Sequence, residues 1–255
     1  MSIPNLNEEK KLWKKGFKRV VGLDEVGRGC VAGPVVAAAV TIVDELRSSS
    51  RRRDGRRNLF LRPSPPFAAA RVIKKSLFQK LWESDFHNIK DSKKLTPKKR
   101  EEFYKILRNH PAIKWGIGKV SEKVIDKINI LEATKLAMER ATEKLKIDYP
   151  SEAKGEKERM FFDYLILDGK MKLDLPIPQK SIVKADEKVF SCCAASIIAK
   201  VWRDRTMEKY HQKYPRYGFD RHKGYLTKYH IKKLKKYGPC AIHRKSFKPV
   251  AKYLI

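Results

Sequence analysis

The hydrophobic pattern divides this chain into strand-like and helix-like stretches. From Val21 to Val43 an apolar run meets the polar segment DEVGRG, and a second apolar run rich in small and β-branched residues follows. This predicts strands over 20–24 and 34–43 joined by an acidic glycine turn. Residues 47–66 break the pattern with seven arginines, a serine triplet and Pro63, Pro65 and Pro66, as a flexible basic loop or insertion would. Thr96 then caps a helix with Pro97 at its first position, in TPKKREEFYKIL. IKWGIGKVS (113–121) alternates as a strand does, Ser121 caps a short helix, and LEATKLAMERATEKL (131–145) has the period of a long amphipathic one.

Past a charged loop from Lys154 to Arg159, FFDYLILDG predicts a strand ending in Asp168, and KSIVKAD predicts another ending in Asp186. The 189–210 stretch, VFSCCAASIIAKVWRDRTMEKY, predicts a helix whose first half of small residues permits close packing on a sheet. Beyond Lys200 the chain is basic and expected to be mainly helical, closing with GPCAIHR. Strands interleaved with helices make an α/β domain the economical reading.

Three predicted strands thus end in acid: Asp24 with Glu25, Asp168, and Asp186. If those ends converge at one sheet edge, like charges raise one another's pKa, and two divalent cations would neutralise all four carboxylates. Hard oxygen ligands suit Mg²⁺ or Mn²⁺, and two such ions can activate water and stabilise the leaving oxygen of a phosphodiester. Taken singly, each Asp is also an ordinary turn-former, as in Asp168–Gly169. Asp204, inside a helix, reads as structural or as support behind the ligands.

Charge sharpens the choice. Lys and Arg number 59 against 29 Asp and Glu, a net +30, which draws polyanions and above all nucleic acid. A membrane role is not expected, since the N-terminus lacks a signal-peptide core and no apolar run reaches about 18 residues. Cys30, Cys192, Cys193 and Cys240 show no CxxC spacing, which suits free thiols in a reducing cytoplasm. Gly27 and Gly29 allow close backbone approach to a ligand, and Arg28 between them can fork onto a phosphate. Ser92, Lys93 and Lys94 could hold backbone phosphates, or form a solvated charge run. Tyr225, after a glycine amid cations, can stack on a sugar or base, or pack as an ordinary aromatic. His222, His230 and His243 lack metal-ligand spacing and read as structural.

These motifs together resemble bacterial ribonuclease HII, the type 2 ribonuclease H. DEVGRG at 24–29 is similar to that family's DE-[AV]-GRG signature and leads into AGPVVAAAV at 32–40. DSKKL, NILEAT, LDG, KAD, AASIIAKVWRD, GYLT with His230, and HRKSF follow in the family's order through residue 247. The resemblance covers residues 20–45 and 90–250. It implies a ribonuclease H-like mixed sheet flanked by helices with a helical C-terminal part. It makes Asp24, Glu25, Asp168 and Asp186 the catalytic, metal-binding carboxylates, with two Mg²⁺ or Mn²⁺ ions present during catalysis. Gly27, Arg28 and Gly29 become the loop that senses a ribose 2′-hydroxyl, and Tyr225 the aromatic that reads the RNA–DNA junction. Ser92 and Lys93 complete the expected substrate-binding set.

The implied substrates are RNA/DNA hybrids and duplex DNA carrying single ribonucleotides, cut to 3′-hydroxyl and 5′-phosphate ends by a cytoplasmic monomer without a membrane partner. The expected layout is an N-terminal extension (1–19), a catalytic domain (20–210) with a basic insertion at about 46–88, and a basic C-terminal region (211–255). Two departures stand out: Leu226 occupies a position where a glycine is usual, and the insertion replaces a short link. The Arg-rich part, 47–62, is expected to tether nucleic acid electrostatically, with a passive loop as the alternative. About 19 residues precede the first strand, which argues against the type 3 enzymes with their extra N-terminal domain. A non-catalytic nucleic-acid-binding protein and a transposase or resolvase with a similar acidic sheet are the competing functions.

Overall fold

The computed structural model describes residues 3–43, 86, 89, 92–145 and 162–254. The Arg-rich segment 47–62, most of the 46–88 insertion and the loop 154–159 lie outside the described residues. Five strands form one mixed sheet: β1 (Val20–Val26), β2 (Val35–Ile42), β3 (Ile113–Val120), β4 (Tyr164–Asp168) and β5 (Gln179–Ile182). Their order is β3-β2-β1-β4-β5. β1 and β3 run antiparallel to β2, whereas β1, β4 and β5 run parallel. The helices are α1 (Asn7–Lys14), α2 (Pro97–Asn109), α3 (Glu122–Glu143), α4 (Phe190–Lys213), α5 (Phe219–His222), α6 (Lys228–Tyr237) and α7 (Lys248–Ala251).

The pleat sorts β2 by a period of two, because successive side chains leave opposite faces of a strand. Val36, Ala38 and Val40 pack towards α2 and α4, and Val35, Ala37 and Ala39 pack towards α3. A sheet covered on both faces accounts for the nearly continuous apolar run of β2. The small-residue half of α4 behaves as expected: Ser191, Cys192, Cys193, Ala194, Ala195 and Ser196 are all buried. The approach is so close that a Cβ on Gly22 of β1 would overlap Ser191.

Helix α2 starts as predicted, with the Thr96 hydroxyl accepting from the Lys99 amide at 3.3 Å and Pro97 in its first turn. The short helix expected after Ser121 and the long one at 131–145 are continuous but kinked. Asn129 at the kink has φ 65°. Its Oδ1 accepts from the amides of Leu131 and Glu132 at 2.9 and 3.1 Å, so Asn129, not Ser121, supplies the side-chain cap. The N-terminal extension is packed onto the domain. Leu12 of α1 joins Val20 and Ile166, and the Glu9 carboxylate accepts from the Ser191 amide and hydroxyl at the start of α4. Burial pushes Glu9 up to about 6.

The glycine turn after β1 is held from behind by two fully buried arginines. Arg203 of α4 donates to the carbonyls of Pro34, Lys223 and Ala32 at 3.0, 2.8 and 3.1 Å. Arg244 donates to those of Gly33, Arg28 and Gly27 at 3.0, 2.9 and 2.7 Å. Gly27 has φ 97°, and a Cβ there would overlap the Arg203 side chain. Only glycine meets both conditions.

The C-terminal part is less helical than expected. Short helices frame a cluster of three buried imidazoles around Phe219, and the rings of His222 and His230 stack at 4.1 Å. The bonds dictate neutral tautomers. His230 Nδ1–H donates to the Tyr225 carbonyl at 2.9 Å, its Nε2 accepts from His243 Nε2–H at 3.0 Å, and His243 Nδ1 accepts from the Cys240 amide at 2.9 Å. The structural reading of these histidines holds. All four cysteines are free, and Cys30, Cys192 and Cys193 are buried. No described helix is long and apolar enough to cross a membrane.

Two outcomes follow from this packing. Arg244→Lys replaces a planar fork by one ammonium that cannot reach three separated carbonyls, leaving buried acceptors unpaired. The urea midpoint should fall by an amount equivalent to about 2–3 kcal/mol at unchanged m-value; an unaltered midpoint would show that the turn needs no such anchor. The second outcome concerns acid. Burial holds His230 down to about 3 and His243 down to about 4. Unfolded imidazoles titrate near 6.5, so their contribution is complete above that pH and is lost as pH falls towards about 4. His243→Gln keeps a donor towards His230 without binding a proton, so the loss of stability between about pH 7 and 5 should shrink in this variant. Urea unfolding at both pH values measures it, and identical pH dependence in the two proteins would refute the assignment.

Candidate metal centre and nucleic-acid surface

The register brings the acids together. β1 and β4 are adjacent and parallel with Leu23 paired to Leu167, so Asp24 and Asp168 are the next residues on neighbouring strands. Both leave the carboxyl ends of their strands on the α4 side, where ligands of open α/β sheets bind. Asp186 arrives differently from the expectation. β5 ends at Ile182, Lys184 turns into the left-handed region at φ 58°, and Asp186 sits in a 3-10 turn over Ala185–Glu187. The turn is anchored by the Ala185 amide, which donates to Asp168 Oδ1 at 2.6 Å. One oxygen from each of Asp24, Asp168 and Asp186 lies within 4.8 Å of the others.

Glu25 stands beside this triad, outside its tightest grouping. It follows Asp24 directly in the strand, and it lies close enough to Asp24 and Asp168 for their charges to act on one another. Its Oε1 accepts from the Arg28 guanidinium at 3.3 Å, while its Oε2 is buried without a hydrogen-bond partner. Asp24 is almost fully buried, accepts from the Glu25 amide at 2.8 Å, and takes a hydrogen bond from the Ser196 hydroxyl. Burial first, then the charges of Glu25, Asp168 and Asp186, pushes the Asp24 carboxyl well above its usual range. Burial also raises Glu25, with Arg28 opposing and Asp168 adding to the rise. Crowded, desolvated carboxylates and an orphan oxygen are the conditions under which a hard divalent cation binds. The residues fit such ions.

The cationic side chains divide the site's rim. Lys93 is exposed and donates to Asp186 Oδ2 at 3.4 Å, and Lys94 pairs with Glu187 at 3.2 Å. Ser92 differs from the expectation of an open phosphate-binding turn. It is fully buried, with its hydroxyl 2.8 Å from that of Ser196, the residue bonded to Asp24. It therefore stands behind the carboxylates, because the apolar neighbours Ile89 and Leu95 draw this turn inward. Arg28 and Gly29 are exposed on the turn that Arg244 and Arg203 pin. Tyr225 is 42% exposed, and its hydroxyl bonds the Cys30 thiol next to Gly29. The Val31 amide donates to the Gly224 carbonyl at 2.9 Å, which joins the tyrosine segment to the glycine turn. Leu226 is absent from the residues with positive φ, so it needs no glycine-like backbone.

Asp204 is held by Lys200 at 2.7 Å and by Arg100 at 3.9 Å, as a structural residue would be. Sequence reasoning passed over Ser196, Arg203 and Arg244. A serine among the small and apolar residues of the α4 half was the available signal for Ser196, whereas neither arginine is marked in the sequence.

Comparison with known proteins agrees with this geometry. Residues 65–250 match the family model for Ribonuclease HII. The chain is 41% identical over 244 residues to a ribonuclease HII of Chlamydia caviae, covering 95% of this chain and 90% of the relative. It is 37% identical to that of Alkaliphilus metalliredigens, covering 95% and 96%. Among solved structures, the ribonuclease H2 of Pyrococcus horikoshii matches with TM-score 0.61 at 25% identity, over 92% of this chain and 96% of that one. Bst-RNase HIII in complex with Mn²⁺ shares the fold at TM-score 0.58 and 16% identity, over 92% of this chain and 68% of its own. With the motifs, the sheet, the carboxylate triad and these relatives in agreement, the chain belongs to the ribonuclease HII family and is a type 2 ribonuclease H, a hydrolase.

Proposed function

We propose that this protein is an endonuclease that cleaves the RNA strand of RNA/DNA hybrids and incises 5′ to single ribonucleotides embedded in duplex DNA. It acts by two-metal-ion hydrolysis that leaves 3′-hydroxyl and 5′-phosphate ends, as a monomer in the cytoplasm. The observation that carries this reading is the convergence of Asp24, Asp168 and Asp186 within 4.8 Å, in a protein of net charge +30. Asp24, Glu25, Asp168 and Asp186 would hold the ions, Mg²⁺ or Mn²⁺, which supply an activated water and a counter-charge for the leaving oxygen.

The chain's own residues account for the rest. Arg28 and Lys93, each now resting on a carboxylate, lie at the edge where phosphate oxygens of a bound strand would pass. Ser92 and Ser196 orient Asp24 from behind. In this reading the backbone of Gly27–Gly29, exposed at Arg28 and Gly29, accepts close approach of a sugar and bonds its 2′-hydroxyl. Tyr225, supported through the Cys30 thiol, packs against the neighbouring sugar at the junction. A site built around one hydroxyl rejects a strand lacking it, because its polar groups are then left buried and unpaired. This separates the proposal from a transposase or resolvase, which would cut all-DNA duplexes.

Asp168→Asn should reduce cleavage of a labelled hybrid by at least about a thousand-fold at saturating Mg²⁺, since it removes a charge that the transition state requires. The same change relieves repulsion on Asp24, so the melting temperature in EDTA should stay level or rise. Near-normal turnover would exclude the carboxylate assignment. A duplex with one ribonucleotide should be nicked on its 5′ side while the all-deoxy duplex stays intact, a discrimination of about a thousand-fold or more. Tyr225→Ala should lower the cleavage rate more than duplex affinity. Gel analysis decides, and equal cutting of both duplexes would remove the sugar-sensing role.

A further inference from the structure

Away from the carboxylates, the edge of the sheet carries a groove of about 520 Å³ between α2, β3 and α4. Its walls include the half-buried indoles of Trp115 and Trp202, and its rim carries the exposed cations Arg108, Lys119, Arg205 and Lys209. None of the described lining residues is acidic. Lys119 lies over the Trp202 ring at 5.9 Å from the centroid, and Arg205 lies over Tyr104 at 4.7 Å while pairing with Glu101.

The groove opens at the catalytic end of the sheet. Lys119 pairs with Val36 across β2, and Val36 pairs with Val26, the residue after Glu25. Two strand spacings, about 10 Å, therefore separate Lys119 from the end of β1. A strand leaving the carboxylates laterally would enter the groove within a few nucleotides.

We propose that this groove binds unpaired nucleotides of a strand that runs on from the paired substrate. Cations on the rim match phosphates. Indole walls offer stacking to base faces, which a strand exposes only when unpaired; within a duplex those faces are covered, so aromatic walls would gain little from duplex alone. The inference rests on the reading of the protein as a nuclease of paired nucleic acid, and its test separates the two.

Fluorescence anisotropy in EDTA would compare a blunt RNA/DNA hybrid with the same hybrid carrying a single-stranded oligo-dT overhang. The unmodified protein should bind the overhang substrate roughly five-fold or more tightly. Lys119→Glu combined with Lys209→Glu should abolish that preference and leave cleavage of the blunt hybrid in Mg²⁺ unchanged. Trp115→Ala should do the same and Trp115→Phe should retain the preference. Trp115 also packs on the core, so the exposed-lysine variant provides the arm independent of folding.

Equal affinity for both substrates, or a preference that survives the lysine changes, would overturn the proposal. So would a lysine variant that weakens blunt and overhang binding alike, since the groove would then hold duplex. Displacement of the overhang by polyglutamate as readily as by oligo-dT would assign the groove to acidic protein and also overturn it. Failure of the unmodified protein to cut the blunt hybrid would sink the nuclease reading alone.

Discussion

Two buried guanidinium groups hold the active end of this protein together. Arg203 and Arg244 are fully buried, and each places three N–H bonds on backbone carbonyls of the 27–34 turn and the Lys223 region. A buried cation without partners is strongly unfavourable, and so is a tight turn whose carbonyls find no donor. Each resolves the other's problem. Because Arg203 comes from α4 and Arg244 from near the C-terminus, the turn cannot take its shape until distant parts of the chain have docked. The turn carrying Arg28, the tyrosine segment and the C-terminal histidine cluster thus form one unit.

Electrostatics explains how four acids share one rim. Burial and mutual repulsion lift Asp24 and Glu25. Arg28 on Glu25 and Lys93 on Asp186 offset part of that repulsion with side chains exposed enough to move away. The same cations would face the phosphates of a bound strand. Net charge therefore acts twice, drawing a polyanion over a distance and screening the acids locally.

Behind the acids lies a polar relay of modest size. Ser92, Ser196 and Asp24 are linked in series, and the Asp186 turn hangs from Asp168 through one amide. Such supporting contacts orient ligands as much as the ligands' own rotamers do. The neutral imidazole cluster does comparable work under Tyr225, whose carbonyl receives the His230 Nδ1–H.

Local chemistry made much of this legible in the sequence. The apolar runs of β1 and β2, the Thr96–Pro97 helix start, the small-residue face of α4 and the acids at strand ends all follow from period, propensity and capping. These are properties of neighbouring residues, and the resemblance to the family's motifs added the expectation that Asp24, Glu25, Asp168 and Asp186 bind metal. Tertiary structure alone decided what depends on partners far along the chain. Pairing of β1 with β4 set Asp24 beside Asp168. A left-handed Lys184 delivered Asp186 from a 3-10 turn, and packing drew Ser92 inside. The anchoring roles of Arg203 and Arg244 were illegible because a buried arginine looks, in sequence, like any surface one. Burial and most of the hydrogen-bond partners exist only once residues 169 to 217 positions apart have met.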